Sequence, residues 1–224
     1  SSKFETLLYI ETMKKGQKSH FVFDVDDTLA DSYEFNQQMF VDTFAPYTDL
    51  SNPVTEKYLR ELHHNSRGVA MALQFEKATK HFGIEVSPSK LVRINELLHI
   101  DNVSKLRIFD SAVEVITKLK FLGCDVSVCS NRQLGSLDKI IERHAIKGLF
   151  TNIISCADAG HEKPDQHCLN MLIKDSGKDK SEFIYFGDSK TDFQIAANAG
   201  IDCIIVDHYL NQKKFYQMIL QSFL

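Results

Sequence analysis

Five short apolar runs punctuate the chain, at Phe21 to Val25, Val126 to Cys129, Asn152 to Ser155, Phe183 to Phe186 and Cys203 to Val206. Helical patterns separate the last four. Ala112, Val115, Ile116, Leu119 and Leu122 recur at helical spacing, as do Leu137, Ile140, Ile141 and His144, and Leu169, Leu172 and Ile173 give a third stripe. Strands alternating with helices predict a parallel sheet covered on both faces, an α/β doubly wound core of the Rossmann-like kind. About 100 residues lie between the first and second runs, whereas a crossover needs only about a dozen.

An insertion must occupy that gap. Met71, Phe75, Ala78 and Phe82 make one amphipathic stripe, Leu91, Ile94 and Leu98 another, and Phe35, Met39, Phe40 and Phe44 cluster on a third segment. Residues 33–106 therefore read as an inserted α-helical cap domain. It leaves through Leu29-Ala30-Asp31-Ser32 and returns near Lys105-Leu106-Arg107, so residues 1–32 and 107–224 make up the core. Short packing helices are expected over 4–14 and 210–220, the second carrying Phe215, Met218 and Ile219.

Charge and cysteine usage narrow the setting. The net charge of −4 comes from interspersed residues with no basic stripe, which argues against nucleic acid as a partner. Five cysteines show no CxxC spacing, and Cys129 and Cys203 sit in apolar runs where thiols act as small hydrophobes, so a reducing, cytoplasmic compartment is expected. The N-terminal region offers only Leu7-Leu8-Tyr9-Ile10, far short of the roughly 18 apolar residues of a membrane span, and no export or membrane segment is expected. His63-His64 and His161 lack partners at zinc spacing and read as surface or partly buried side chains.

The chemistry concentrates after the strands. Asp24-Val25-Asp26-Asp27-Thr28 follows the first run. Like charges repel by roughly 1 kcal/mol at 4 Å in water and several times that at a protein's effective dielectric, so a divalent cation is the simplest compensation. Ser130 follows the second run, Gly187-Asp188 with Asp192 follows the fourth, and Lys163 precedes the helix that leads to the fourth. In an open parallel sheet the carboxyl ends face one crevice, so these groups should converge. Asp27 by itself reads as a solvated turn residue.

The order of these motifs resembles the haloacid dehalogenase superfamily from Phe21 to about Val206, in its capped phosphoglycolate phosphatase and β-phosphoglucomutase-like branch. DxDxT is Asp24 to Thr28, the apolar strand ending in Ser is Val126 to Ser130, the lysine motif is Lys163-Pro164, and GDxxxD is Gly187 to Asp192. The resemblance implies that Asp24 attacks phosphorus to form an aspartyl-phosphate and that Asp26 acts as general acid and base. It implies Mg2+ held by Asp24, the main-chain carbonyl of Asp26, and Asp188. Ser130 and Lys163 would bind the phosphoryl oxygens, and Asp192 would orient Lys163 or support the metal's waters. Pro164 would keep Lys163 extended and open the next helix.

Thr28, Asn131 and Arg132 are further candidates for substrate binding, and Arg67 in Asn65-Ser66-Arg67-Gly68 is the cap's best candidate for an anionic group on the substrate. An acid at position 26 implies a phosphate ester rather than a halide, and Asn36 stands near where the mutases carry histidine. The expected activity is thus a magnesium-dependent phosphatase of small phosphorylated metabolites, as a monomer or homodimer. A sugar phosphomutase and a catalytically silent phosphometabolite-binding protein are the alternatives. Phe109-Asp110-Ser111 and Gln166 depart from the usual pattern, which has a Pro-Gly turn and a second proline at these places.

Overall fold

In the computed structural model, which describes residues 18–206 together with Ile219 and Gln221, the first apolar run becomes a strand whose four residues are all buried. In chain order the elements are β1 (His20–Phe23), β2 (Ala30–Asp31), α1 (Tyr33–Asp42), α2 (Pro53–Asn65), α3 (Met71–Phe82), α4 (Pro88–Asp101), β3 (Arg107–Ile108) and α5 (Asp110–Phe121). They continue with β4 (Asp125–Ser130), α6 (Leu134–Arg143), β5 (Asn152–Ser155), α7 (His167–Ser176), β6 (Phe183–Gly187), α8 (Lys190–Ala199) and β7 (Asp202–Ile205).

A strand apolar on both faces belongs in the middle of a parallel sheet, and β1 is there: the order is β5-β4-β1-β6-β7, all parallel. Side chains alternate between two layers. Phe21, Phe23, Val126, Val128, Ile184 and Phe186 pack with Val115 and Ile116 of α5 and Leu137 and Ile140 of α6. Val22, Cys129, Phe183 and Tyr185 pack with Leu169 of α7 and Ile195 of α8. Phe23 pairs with both Val128 and Phe186, so the chain segments leaving β1, β4 and β6 emerge together. This is where strand order reverses, the usual ligand crevice of an open α/β sheet.

The strands match the expected runs to within a residue or two, with one instructive difference. β1 ends at Phe23 rather than Val25, because the Val25 carbonyl accepts the Leu29 and Ala30 amides, each at 2.9 Å, and curls the chain into a tight loop. Asp27, expected as a solvated turn residue, is instead 5% exposed at a φ of 57°. Its Oδ1 accepts the Ser32 amide at 3.2 Å. Asp tolerates this left-handed conformation better than most residues.

β2 and β3 pair antiparallel, Ala30 with Ile108 and Asp31 with Arg107, where the chain enters and leaves the four inserted helices α1–α4. The insertion has an apolar cluster of its own, with Phe40, Phe44, Leu59, Phe75 and Leu91 fully buried. The stripe expected on α4 needs correction. Leu91, Asn95 and His99 are its buried residues, a face at i, i+4 and i+8, whereas Ile94 and Leu98 are only partly buried. The expected helix over 4–14 lies outside the described residues. Of 210–220 only Ile219 is described, helical and fully buried in the core. Among the described residues no helix is long and apolar enough to cross a membrane.

Candidate active site

Asp24 leaves the central strand with its amide bonded to the Phe186 carbonyl at 2.8 Å, which aims its side chain into the crevice between β4, β1 and β6. Lys163 meets it there. The Lys163 ammonium lies 2.9 Å from Asp24 Oδ1 and 2.6 Å from Asp192 Oδ1, and the Tyr185 hydroxyl is 3.2 Å away. Burial alone would lower the pKa of such a lysine. The charges of Asp192 and Asp24 outweigh burial and hold its pKa well above the ordinary value.

The segments around this pair are built to fix it. Asn131 Oδ1 accepts the Lys163 amide at 2.7 Å and Asn131 Nδ2 donates to the Lys163 carbonyl at 3.4 Å, so Asn131 braces the lysine's backbone. Asp192 is the third residue of α8 and forms a reciprocal capping box with Ser189. Its Oδ2 accepts the amides of Asp188 and Ser189 at 3.2 and 3.0 Å. The GDxxxD spacing is thus also a helix-start signal. Gly187 is required here, because a Cβ would lie 2.3 Å from Asp192 Cγ.

Asp26 faces the other way, toward the insertion. Arg132 Nε donates to Asp26 Oδ2 at 3.2 Å, Arg132 Nη2 donates to Asp26 Oδ1, and Asn36 Nδ2 donates to the same Oδ1 at 2.8 Å. Burial would push this carboxyl up. The Arg132 charge, with hydrogen bonds from Arg132, Asn36 and Ser32, outweighs it and holds the group well below the usual carboxylate range. Arg132 also donates to His99 Nδ1 at 2.7 Å and Asn36 Oδ1 at 2.8 Å. Ser130 Oγ accepts the Arg132 amide at 3.2 Å.

Arg67 reaches Asp188 from the insertion at 3.4 Å and lies 5.4 Å over the Tyr33 ring. Its loop is tied by Gln74, whose Nε2 donates to the carbonyls of Ser66 at 3.1 Å and Val69 at 2.8 Å. Gly68, at a φ of 79°, brings the loop so near the start of α8 that a Cβ would sit 2.6 Å from Thr191 Oγ1. Between insertion and sheet lies a cavity of about 150 Å³, whose wall includes Asp24, Asp26, Arg67, Ser130, Lys163 and Asp188.

The structure brings together Asp24, Asp26, Ser130, Asn131, Arg132, Lys163, Asp188 and Arg67 around this one cavity. Asp192 stands behind Lys163, fully buried. Thr28 is also fully buried, within the loop after β1, and is not part of the cavity wall. Pro164 does not open the next helix, which begins at His167, where the Asp165 side chain accepts the His167 amide at 2.8 Å.

Tyr185 and His99 escaped the sequence reading, Asn36 figured there only as an absent histidine, and His63, expected as a surface or partly buried side chain, is instead buried on the cavity wall. A lone hydroxyl in the apolar run Phe183 to Phe186 was the signal for Tyr185. For His99 it was a polar residue in register with Leu91 and Asn95.

Carboxylate oxygens of Asp24, Asp188 and Asp192 lie within 4.8 Å of one another, an all-oxygen set of the kind hard dications take. Burial, with the charges of Asp24, Asp192 and Asp27, pushes Asp188 up to about 8 against the opposing pull of Arg67. Burial pushes Asp24 up as well, Asp192 and Asp26 adding to it and Lys163 opposing. Both shifts mark negative charge left uncompensated by the protein's own cations, and a divalent ion fits that deficit.

Comparison with known proteins identifies the family. The chain is 24% identical over 188 residues to a phosphoglycolate phosphatase of Mesorhizobium japonicum, covering 83% of this chain and 81% of that one. It is 26% identical over 196 residues to a glyceraldehyde 3-phosphate phosphatase of Methanothermobacter thermautotrophicus, covering 85% and 86%. The crystal structure of CbbY from Rhodobacter sphaeroides in complex with phosphate superposes with a TM-score of 0.70 at 18% identity, over 87% of this chain and 89% of that one. With residues 21–206 matching the haloacid dehalogenase-like hydrolase family model, the protein belongs to that family and is a hydrolase.

Proposed function

We propose that this protein is a magnesium-dependent phosphatase of small organic phosphate monoesters. The observation that carries the reading is the buried Asp24–Lys163–Asp192 chain at the end of the central strand, opening on a cavity that Asp26 faces from the insertion side. A carboxylate beside a fixed ammonium suits in-line attack on an anionic phosphoryl group. Asp24 attacks phosphorus, the ester P–O bond breaks, and Asp26, carrying a proton taken up together with the anionic substrate, passes it to the departing alkoxide. Water then attacks the aspartyl-phosphate, its proton passes to Asp26, and cleavage of the bond to Asp24 releases inorganic phosphate.

Lys163 and Ser130 hold the phosphoryl oxygens in this scheme, with Asn131 and Arg132 shaping the pocket behind them and Thr28 completing the motif from within its loop. Magnesium would be held by Asp24, the Asp26 carbonyl and Asp188, with Asp192 in support, and would neutralise nucleophile and substrate so that they can approach. Residues 33–106 act as the cap and residues 1–32 and 107–224 as the core. Arg67 contributes selectivity for an anionic group on the leaving portion. The relatives named for phosphoglycolate and glyceraldehyde 3-phosphate support a substrate of a few carbons, as does the small cavity. Five free thiols fit a cytoplasmic setting.

A panel of phosphorylated metabolites, read for both phosphate release and isomer formation with magnesium present, tests the reading. Phosphate release from small monoesters is expected. Isomerised sugar phosphate with little free phosphate would establish the mutase alternative, and binding without turnover would establish the silent one.

A further inference from the structure

Asp26 is held by groups from two parts of the molecule. Arg132 comes from the segment after β4 in the sheet core, while Asn36 comes from α1 and His99 from α4 of the insertion. The hydrogen-bond chain is closed: His99 Nδ1 to Arg132 Nη1 at 2.7 Å, Arg132 Nη2 to Asn36 Oδ1 at 2.8 Å, and Asn36 Nδ2 to Asp26 Oδ1 at 2.8 Å, with Arg132 Nε on Asp26 Oδ2 at 3.2 Å. A guanidinium has donors only, so His99 Nδ1 is the acceptor and the ring carries its proton on Nε2. Every group on the two Asp26 oxygens in this chain is an N–H donor, so the side chain is held ionised, the form a proton acceptor must have.

Arg132 and His99 are each 7% exposed, so their side of the arrangement sits out of bulk water, where fixed hydrogen bonds orient a side chain most effectively. Phe35 holds the His99 ring edge-on at 5.1 Å, which restricts the imidazole to the orientation Arg132 needs. His99 and Asn36 thus set the direction of Asp26 without touching the atom at which phosphate is transferred.

We propose that His99 and Asn36 of the insertion are positioning residues which, through Arg132, aim the Asp26 carboxylate at the water that hydrolyses the aspartyl-phosphate. This rests on the phosphatase reading above and adds a division of labour to it. Transfer of the phosphoryl group from an activated ester to Asp24 breaks the ester P–O bond and releases a stable phenolate, so it needs no proton from Asp26. Hydrolysis breaks the P–O bond to Asp24 and forms one to water, whose proton must pass to Asp26. The insertion serves the second half.

Rapid-quench kinetics with p-nitrophenyl phosphate and magnesium separates the two halves. In His99→Leu the first turnover is expected to release p-nitrophenolate in a burst approaching one equivalent. Steady-state turnover should fall about tenfold or more, as for a general base that is misaimed rather than removed, and an acid-stable phosphoenzyme should accumulate. Asn36→Ala, at a partly exposed position where folding is less at risk, should behave likewise. His99→Asn, which can present its carbonyl oxygen near the place of Nδ1, should restore most of the steady-state rate and abolish the accumulation. Parallel slowing of burst and steady state with no trapped phosphoenzyme in both His99→Leu and Asn36→Ala would overturn the proposal, as would failure of His99→Asn to differ from His99→Leu. A wild-type enzyme that neither forms phosphoenzyme nor releases phosphate from any ester would instead overturn the phosphatase reading, and the positioning role with it.

Discussion

At the scale of single residues, two aspartates two positions apart have opposite environments. Asp24 faces Lys163 and the acidic cluster, whereas Asp26 is turned to Arg132 and Asn36. Two carboxylates whose surroundings push their pKa values apart are a recurrent sign of divided labour. Asp24→Asn keeps the shape and removes the proposed nucleophile, so phosphate release should fall by about three orders of magnitude or more, as when a covalent nucleophile is deleted elsewhere. Near-wild-type release from purified Asp24→Asn would show that another group attacks phosphorus. Both aspartates were legible in the sequence because motif spacing survives whatever the side chains around it do. Their division was not, since Arg132 lies 106 positions from Asp26 and only the fold joins them.

At the scale of elements, the start of α8 combines two demands in few residues. Ser189 and Asp192 cap the helix while Asp192 grips Lys163, and Gly187 leaves room for both. Gly187→Ala should therefore lower stability by about 1–3 kcal/mol, the usual range for overpacking, and slow turnover because Asp192 must move. Denaturant unfolding alongside steady-state kinetics checks this, and loss of neither would mean that the backbone relaxes freely.

The opening residue of β1 carries a pH signature. His20 is 1% exposed, stacks on Phe183 at a centroid distance of 4.4 Å, and lies 2.8 Å from Ser127 Oγ. Burial brings its pKa down from 6.5 to about 4, despite the pull of Asp125 in the other direction. Between those values the unfolded chain binds the proton and the folded one does not, so stability rises with pH from 4 to 6.5 and the contribution is fully present above 6.5. The melting temperature of His20→Phe should climb less steeply over that window than that of the wild type. Identical slopes would assign the acid sensitivity to other groups.

At the scale of the whole molecule, the cavity lies between the sheet and the inserted helices, whose apolar clusters are distinct. The Arg67–Asp188 contact bridges them. A dication bound by Asp24 and Asp188 would tie the segments after β1 and β6 and relieve the acidic cluster. At about 100 times its dissociation constant a ligand adds about 2.7 kcal/mol to stability. Magnesium should accordingly raise the wild-type melting temperature by several degrees and leave Asp188→Asn nearly unmoved, while chelation should abolish turnover. A wild-type melting curve indifferent to magnesium, together with turnover in a chelator, would remove the metal from the account.

Sequence alone determined the parallel α/β core, the place and helical character of the insertion, and the motif residues that meet at the sheet's carboxyl edge. Periodicity and strand-end position are local properties, and the crossover geometry of a parallel sheet leaves few ways to arrange them. Tertiary structure alone decided what each group touches. It buried Asp27, withdrew Thr28 from the cavity wall, turned Asn95 and His99 rather than Ile94 and Leu98 inward on α4, and made Asn131 a brace for Lys163. These outcomes depend on packing between segments distant in the chain, where a polar side chain is stabilised inside by a partner that local sequence does not reveal.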